Sequence, residues 1–171
     1  MGDAPTIRPA RPSDLAAVGA IYAHYVTSTA ATFELEPPDQ EAWSRRLRLV
    51  AEHGLPFLVA ELDGEDSRIG GYAYCTPWKP RPAYRGTVEN SVYVAPWASR
   101  RGLGTALLGA LLSACSAAQV REVIAVIADT GDPASAELHR RHSFVEAGRL
   151  TGVGFKHGRR LDTLLFQCSL R

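Results

Sequence analysis

The stretch Val92-Tyr93-Val94-Ala95-Pro96-Trp97-Ala98-Ser99-Arg100-Arg101-Gly102-Leu103-Gly104-Thr105 decides how this chain is read. An apolar strand ends, Pro96 breaks it, and a helix opens at a Gly-x-Gly. The first N–H groups of a helix have no partner inside it and point outward. The helix dipole adds partial positive charge at the same end. Glycine keeps side chains out of the way, so a phosphate can approach the backbone. Arg100 and Arg101 add charge-assisted donors. The segment Arg100, Arg101, Gly102, Leu103, Gly104 and Thr105 therefore reads as a pyrophosphate cradle.

Working outward, Thr6-Ile7-Arg8 reads as a first strand. Ser13 is placed to cap a helix on which Leu15, Val18, Ile21, Tyr22, Tyr25 and Val26 recur at helical spacing. Asp39 caps a second helix with Trp43, Leu47 and Val50 on one face, stopped at Gly54. Pro56 to Leu62 and Ile69 to Trp78 read as strands joined by a turn at Asp63-Gly64-Glu65-Asp66. Lys79-Pro80-Arg81-Pro82 must be a loop, because its prolines deny regular pairing. A strand from Thr87 to Ala95 leads into the cradle. The helix after it carries Leu103, Leu107, Ala110, Leu111 and Ala114. Glu122 to Ala128 is an apolar strand, Asp132-Pro133 starts a helix running to His142, and 144–153 and 160–169 close the chain as strands. The order β-α-α-β-β-β-α-β-α-β-β predicts an α+β fold, a mixed sheet with helices on its faces. It is not the regular alternation of a doubly wound fold.

The composition suits one domain over residues 1–171. Of the 171 residues, 46% are hydrophobic and 22% charged, so a core can form and disorder is not expected. The formal net charge is only +1, from 19 basic and 18 acidic side chains. No overall charge draws the protein to nucleic acid or to a membrane surface, so an anionic ligand must be held by local cations. No apolar run reaches the ~20 residues of a membrane span, and the first residues lack a signal-peptide pattern. Cys75, Cys115 and Cys168 are far apart, odd in number and without metal-site spacing, which predicts reduced thiols and a cytoplasmic protein. The five histidines show no metal-binding spacing either, so no metal is expected. A dinucleotide fingerprint fails because Leu107 stands where a third small residue belongs, and no GxxxxGK[ST] is present.

Arg-Arg-Gly-Leu-Gly after Val-Tyr-Val resembles the acetyl-CoA motif of the GNAT superfamily of N-acetyltransferases. The likeness extends through Ile21 to Phe33, Ala73 to Lys79, Tyr84, Thr87 to Val94 and Gly154 to Gly158. There the chain resembles the phosphinothricin and methionine sulfoximine acetyltransferases. The resemblance implies a mostly antiparallel sheet of about seven strands flanked by about four helices. It also implies acetyl-CoA as co-substrate, with the backbone at Val92, Tyr93 and Val94 pairing with the pantetheine arm. Two departures stand out. Ser99 occupies a place where the superfamily usually has Gln or Arg. Asp132 stands where an Asn commonly bonds pantetheine; with Ser135 it either contacts CoA or, as an acceptor-only carboxylate, caps its helix.

Acetyl transfer from a thioester to an amine requires removal of an amine proton and protonation of the departing thiolate. CoA already carries the activated group, so no covalent enzyme intermediate is needed. Glu89 is the expected general base. It lies in an apolar strand on the same face as Tyr93, where partial desolvation would raise its pKa, and the resemblance places a catalytic carboxylate there. His139 is the second candidate, at a helical position where the resemblance implies the acid for the CoA thiolate; Tyr93 is the alternative acid. For the carboxylate of an amino-acid acceptor, Lys79 and Arg81 form one cationic cluster and Lys156 and His157 another. Phe33, Tyr74, Trp78, Tyr84 and Phe155 are candidate pocket walls.

The expected function is acetyl-CoA-dependent N-acetylation of a small amino acid such as phosphinothricin, methionine sulfoximine or methionine sulfone. Acetylation of protein N-termini or lysines, and a non-catalytic acetyl-CoA sensor, are the alternatives. Related enzymes form dimers, so the resemblance implies a homodimer.

Overall fold

The computed structural model describes residues 4–63 and 68–170. Its elements follow the expected order. They are β1 (Thr6–Pro9), α1 (Leu15–Ser28), α2 (Gln40–Glu52), β2 (Phe57–Leu62), β3 (Arg68–Pro77), β4 (Thr87–Val94), α3 (Leu103–Ala117), β5 (Glu122–Ala128), α4 (Ala134–Arg141), β6 (Val145–Lys156) and β7 (Arg159–Ser169). The turn expected at Asp63–Asp66 lies, beyond Asp63, outside the described residues.

The seven strands form one sheet in the order β1-β2-β3-β4-β5-β7-β6. Every neighbouring pair is antiparallel except β4 and β5. That parallel pair needs a crossover, which α3 supplies between them. α1 and α2 cover one face, where the Trp43 ring meets Tyr72 and Tyr22 edge-on. α3 and α4 cover the other face. Leu107 of α3 approaches so closely that a Cβ on Gly71 would lie 3.0 Å from it and 2.9 Å from Tyr93 O. Leu107, Leu108 and Leu111 are fully buried, and truncating any such side chain typically costs ~2–5 kcal/mol.

Local signals explain the element ends. Asp39 caps α2 as expected, its carboxylate accepting from Ala42 N at 2.8 Å. Gly54 follows α2 in a left-handed conformation, φ 63°. The expected cap of α1 by Ser13 is corrected. Pro12–Asp14 form a 3-10 turn, and Asp14 stands at the cap position with its side chain turned elsewhere. Asp14 is buried and takes two hydrogen bonds from Arg8, at 2.8 and 2.9 Å, plus one from Arg11 N at 2.7 Å. The charge of Arg8 and that backbone donor are the stronger draw, so Ser13 is left without a capping role.

Candidate active site

β4 and β5 pair over only three rungs, Thr87↔Glu122, Val88↔Val123 and Glu89↔Ile124. Beyond Glu89 each strand stays bonded to its outer neighbour, β4 to β3 as far as Val94 and β5 to β7 as far as Ala128. The sheet therefore splits, and the inner edge of β4 from Asn90 onward is free of strand partners. A cavity of about 730 Å³ fills the split. It is lined by Glu89, Asn90, Val92 and Val94 on β4, by 125–128 on β5, by Gly104, Asp132 and Ser135 at the helix starts, and by His139 in the last turn of α4. Buried polar groups on a sheet edge need partners, so this open edge suits an extended ligand with its own amides.

The cradle lies at one end of that cleft. Arg100 (φ 63°) and Gly102 (φ 74°) both take left-handed conformations between Val94 and α3. Gly102 sits at the N-cap, and a Cβ built on it would meet nothing within 4 Å, so the space above the turn is open. The first closed helical bond runs from Ala106 N to Gly102 O, 3.0 Å, which leaves the N–H groups of Leu103, Gly104 and Thr105 at the free end. Arg100 and Arg101 flank it with exposed side chains, while Leu103 is buried and anchors the helix below. The Val94 carbonyl accepts the Tyr25 hydroxyl, which leaves one lone pair of that carbonyl for any ligand. Asp132 accepts from Ala134 N at 3.0 Å, organising the start of α4 while still lining the cleft.

Glu89 and His139 reach the cleft from opposite faces of β4. Glu89 shares its face with Tyr93, whose ring packs on Tyr22 and Tyr25 of α1. Burial raises the Glu89 pKa, and the positive charge of Lys79 partly opposes that. His139, on α4, is 4% exposed and stands 2.9 Å from Asn90, the next residue along β4. Burial lowers its pKa below the usual histidine range. Burial raises the Tyr93 pKa strongly, with the Tyr22 and Tyr74 rings adding to it, so its hydroxyl holds its proton tightly.

The expected acceptor residues divide. Phe33 and Tyr74 line the cleft. Lys79, Arg81 and Tyr84 instead line a separate hollow of about 510 Å³ with His53 and Arg85. Lys79 lies over the Trp78 ring, 4.8 Å from its centre, and touches the cleft only through its field on Glu89. Phe155 is 69% exposed, outside the cleft. Lys156 is buried, not a solvated cation: its Nζ donates to Thr32 O at 2.8 Å, and desolvation lowers its pKa. Beside it, His157 Nε2 donates to Thr29 O at 3.2 Å. Together they tie the loop after α1 to the β6–β7 hairpin, and that loop carries Phe33 into the cleft.

Among the cleft residues that sequence reading did not single out are Asn90, Thr32, Glu34 and Arg46. Arg46 pairs with Glu34 at 2.6 Å and lies 4.7 Å over the Trp43 ring. Its place on the Trp43 side of α2 carried no separate signal. Asn90 did leave one, as a polar residue on the inward face between Val88 and Val92.

The comparisons with known proteins agree with this geometry. The Acetyltransferase (GNAT) family pattern matches residues 19–144. The chain is 48% identical over 162 residues to the phosphinothricin N-acetyltransferase of Alcaligenes faecalis, covering 95% of this chain and 81% of that one. It is 38% identical over 169 residues to an L-methionine sulfoximine/L-methionine sulfone acetyltransferase of Pseudomonas aeruginosa, covering 96% and 94%. The crystal structure of a GNAT superfamily phosphinothricin acetyltransferase from Sinorhizobium meliloti, in complex with AcCoA, superposes with a TM-score of 0.91 at 38% identity, covering 97% and 88%. A split β4–β5 edge, a glycine cradle at the start of α3 and these likenesses over nearly the whole length place the chain in the GNAT family of acetyltransferases.

Proposed function

We propose that this chain transfers acetyl from acetyl-CoA to the amino group of a small amino acid such as phosphinothricin, methionine sulfoximine or methionine sulfone. The observation that carries the reading is the single cleft running from the α3 cradle, past Glu89 and His139, to Phe33, Glu34 and Arg46. Its free β4 edge suits the amides of a pantetheine arm at Val92 and Val94, while the Tyr93 backbone, in register with Tyr72, is turned to β3. The turn from Arg100 to Thr105 suits a pyrophosphate, with backbone N–H groups and two arginines at a helix start. Asp132 and Ser135 border the same path.

Glu89, half-buried with a raised pKa, is the proton acceptor for the incoming ammonium, directly or through water. Attack is direct, since no cysteine or serine paired with a base faces the cleft among the described residues. All three cysteines are buried away from it. Phe33, on the loop held by Lys156, forms one wall for the acceptor. Of the other expected acceptor residues, Lys79 bears on the cleft through its charge on Glu89, while Arg81 and Tyr84 line the separate hollow and Phe155 is exposed outside the cleft. The reading includes a homodimer, as the resemblance to dimeric enzymes implies. Sedimentation of the purified protein tests that part.

The activity itself is tested by CoA-thiol release against a panel of amines. Turnover with phosphinothricin or methionine sulfoximine, and little with peptide N-termini or lysine side chains, is expected. Turnover confined to peptides would support a protein acetyltransferase, and none with any amine would support a sensor; either result overturns the reading.

A further inference from the structure

The buried contact between His139 and Asn90 has one consistent hydrogen-bond solution. Ser135 O is a carbonyl and can only accept, so the 2.7 Å contact from His139 Nδ1 requires the proton on Nδ1. Asn90 Nδ2 is an amide nitrogen and can only donate, so Nε2 accepts and carries no proton, a form that burial favours by lowering the ring's pKa. The 2.9 Å contact is then Asn90 Nδ2–H donating to Nε2. That turns the other end of the amide away, and Asn90 Oδ1 is buried without a partner among the described residues. Native proteins rarely leave such an atom orphaned without a functional reason. The surroundings do not favour a charged ring. His139 faces Ser135 O on its own helix and Asn90 on β4. The Phe144 ring packs edge-on to it with ring centres 4.9 Å apart, and the field of His142 lowers the pKa further. Among the described residues no carboxylate is bonded to it.

We infer that Asn90 is a positioning residue that holds His139 as its neutral Nδ1–H tautomer. Nε2 thereby enters the reaction as a proton acceptor, and the amide turns over to present Oδ1 when the ring takes up a proton. The inference rests on reading the cleft as an acetyl-transfer site. An imidazolium Nε2–H would face the Asn90 N–H, donor against donor. Rotating the amide by half a turn replaces that clash with Oδ1, which has no other bond to lose.

Proton accounting shows what such a group does. An ammonium becoming an amide loses two N–H protons as the C–N bond forms and the C–S bond breaks. One proton ends on the CoA sulfur and the other goes to solvent. Glu89 on one face of β4 takes the proton that goes to solvent. On the other face, a bare Nε2 can collect the other and deliver it to sulfur, returning to neutral with each turnover. A ring that began as an Nε2–H donor would instead need reprotonation from outside.

Ring ¹⁵N NMR of His139 reads the tautomer directly and does not depend on turnover, so failure of this inference and failure of the acetyl-transfer reading are distinguishable. The expected wild-type result is a protonated Nδ1 and a bare Nε2 throughout the neutral range. Asn90→Asp puts an acceptor-only group opposite Nε2. It should draw a proton there, raise the His139 pKa and move the acid limb of kcat to higher pH, with the acetyl-CoA KM little changed. Asn90→Ala should leave Nε2 unbonded and the tautomers mixed. A wild-type ring protonated at Nε2 at neutral pH overturns the proposal. So does an Asn90→Asp protein whose tautomer and pH profile match wild type. The wild-type spectrum alone decides the first point even if a variant fails to fold.

Discussion

Glu89 and Ile124 form the last rung of the parallel β4–β5 ladder, and the cleft opens at the next residue on each strand. A candidate base thus sits at the base of the split, backed by a paired backbone and facing a cavity. That placement removes water from its carboxylate without removing its access to a ligand, and desolvation raises its pKa.

Glu89→Gln keeps the shape and removes the basicity. General base catalysis commonly contributes ~10²–10⁴-fold, so kcat should fall by about that much at neutral pH. A raised pKa means the active carboxylate is lost at a higher pH than for an ordinary glutamate as the solution is acidified. The wild-type acid limb should therefore lie above the usual carboxylate range, and the variant's deficit should shrink at high pH, where free amine is more abundant. A full wild-type kcat in Glu89→Gln, with chemistry rate-limiting, would show that another group takes the proton.

Lys79 opposes the upward shift of Glu89 through its charge alone. Lys79→Ala should move the acid limb of kcat further up in pH, whereas Arg81→Ala should leave that limb in place. If the pair also holds the acceptor carboxylate, the double substitution should raise the acceptor KM by roughly 10-fold or more, since a charged hydrogen bond is worth ~1.5–3 kcal/mol. Measured pH profiles and acceptor KM values separate the two effects.

Gly104 borders both the cradle and Leu138 of α4, whose side chain would lie 3.3 Å from an added Cβ. Gly104→Glu should abolish most acetyl-CoA affinity in a protein that still folds, because it places a carboxylate at the helix start. Gly104→Ala, which adds the Cβ without the charge, should weaken binding far less. Calorimetric titration of both variants checks the contrast; equal affinities would remove the cradle from this turn.

At Gly154 an added Cβ would run into the Phe33 ring, well inside contact distance. The ring is the far end of a mobile side chain, 37% exposed, so it can swing and the fold should survive. Gly154→Ala should raise the acceptor KM and leave the acetyl-CoA KM nearly unchanged. Steady-state kinetics with each substrate varied in turn is the check.

Asp14, held by Arg8 and by Arg11 N, has a depressed pKa. A carboxylate with a lowered folded pKa contributes stability that is present above its unfolded pKa of ~3.9 and is lost as pH falls through the folded value. Asp14→Asn should cost about 1.5–3 kcal/mol at neutral pH, the worth of a charge-assisted bond. The gap to wild type in urea unfolding should close below about pH 4. A constant gap across that window would place the role of Asp14 in packing alone.

The sequence by itself determined the element order, the cap at Asp39, the glycine turn from Arg100 to Thr105 that opens α3 and Glu89 as a strand carboxylate among apolar neighbours. Each is a local matter: periodicity, proline and glycine punctuation, and the orphan N–H groups of a helix start all act within a few residues. Only the tertiary structure decided which residues meet across the sheet. Asn90 bonds His139 from 49 positions away, Lys156 bonds Thr32 from 124 positions away, and Cys75 lies 3.4 Å from Cys115. Lys79 and Arg81 read as a cationic cluster for the acceptor carboxylate, yet they line a different hollow from the cleft. Arg8 took Asp14 and left Ser13 without a capping role. Spacing along the chain cannot foresee such pairings, because they depend on where the β4–β5 ladder stops and which helix then packs over the gap.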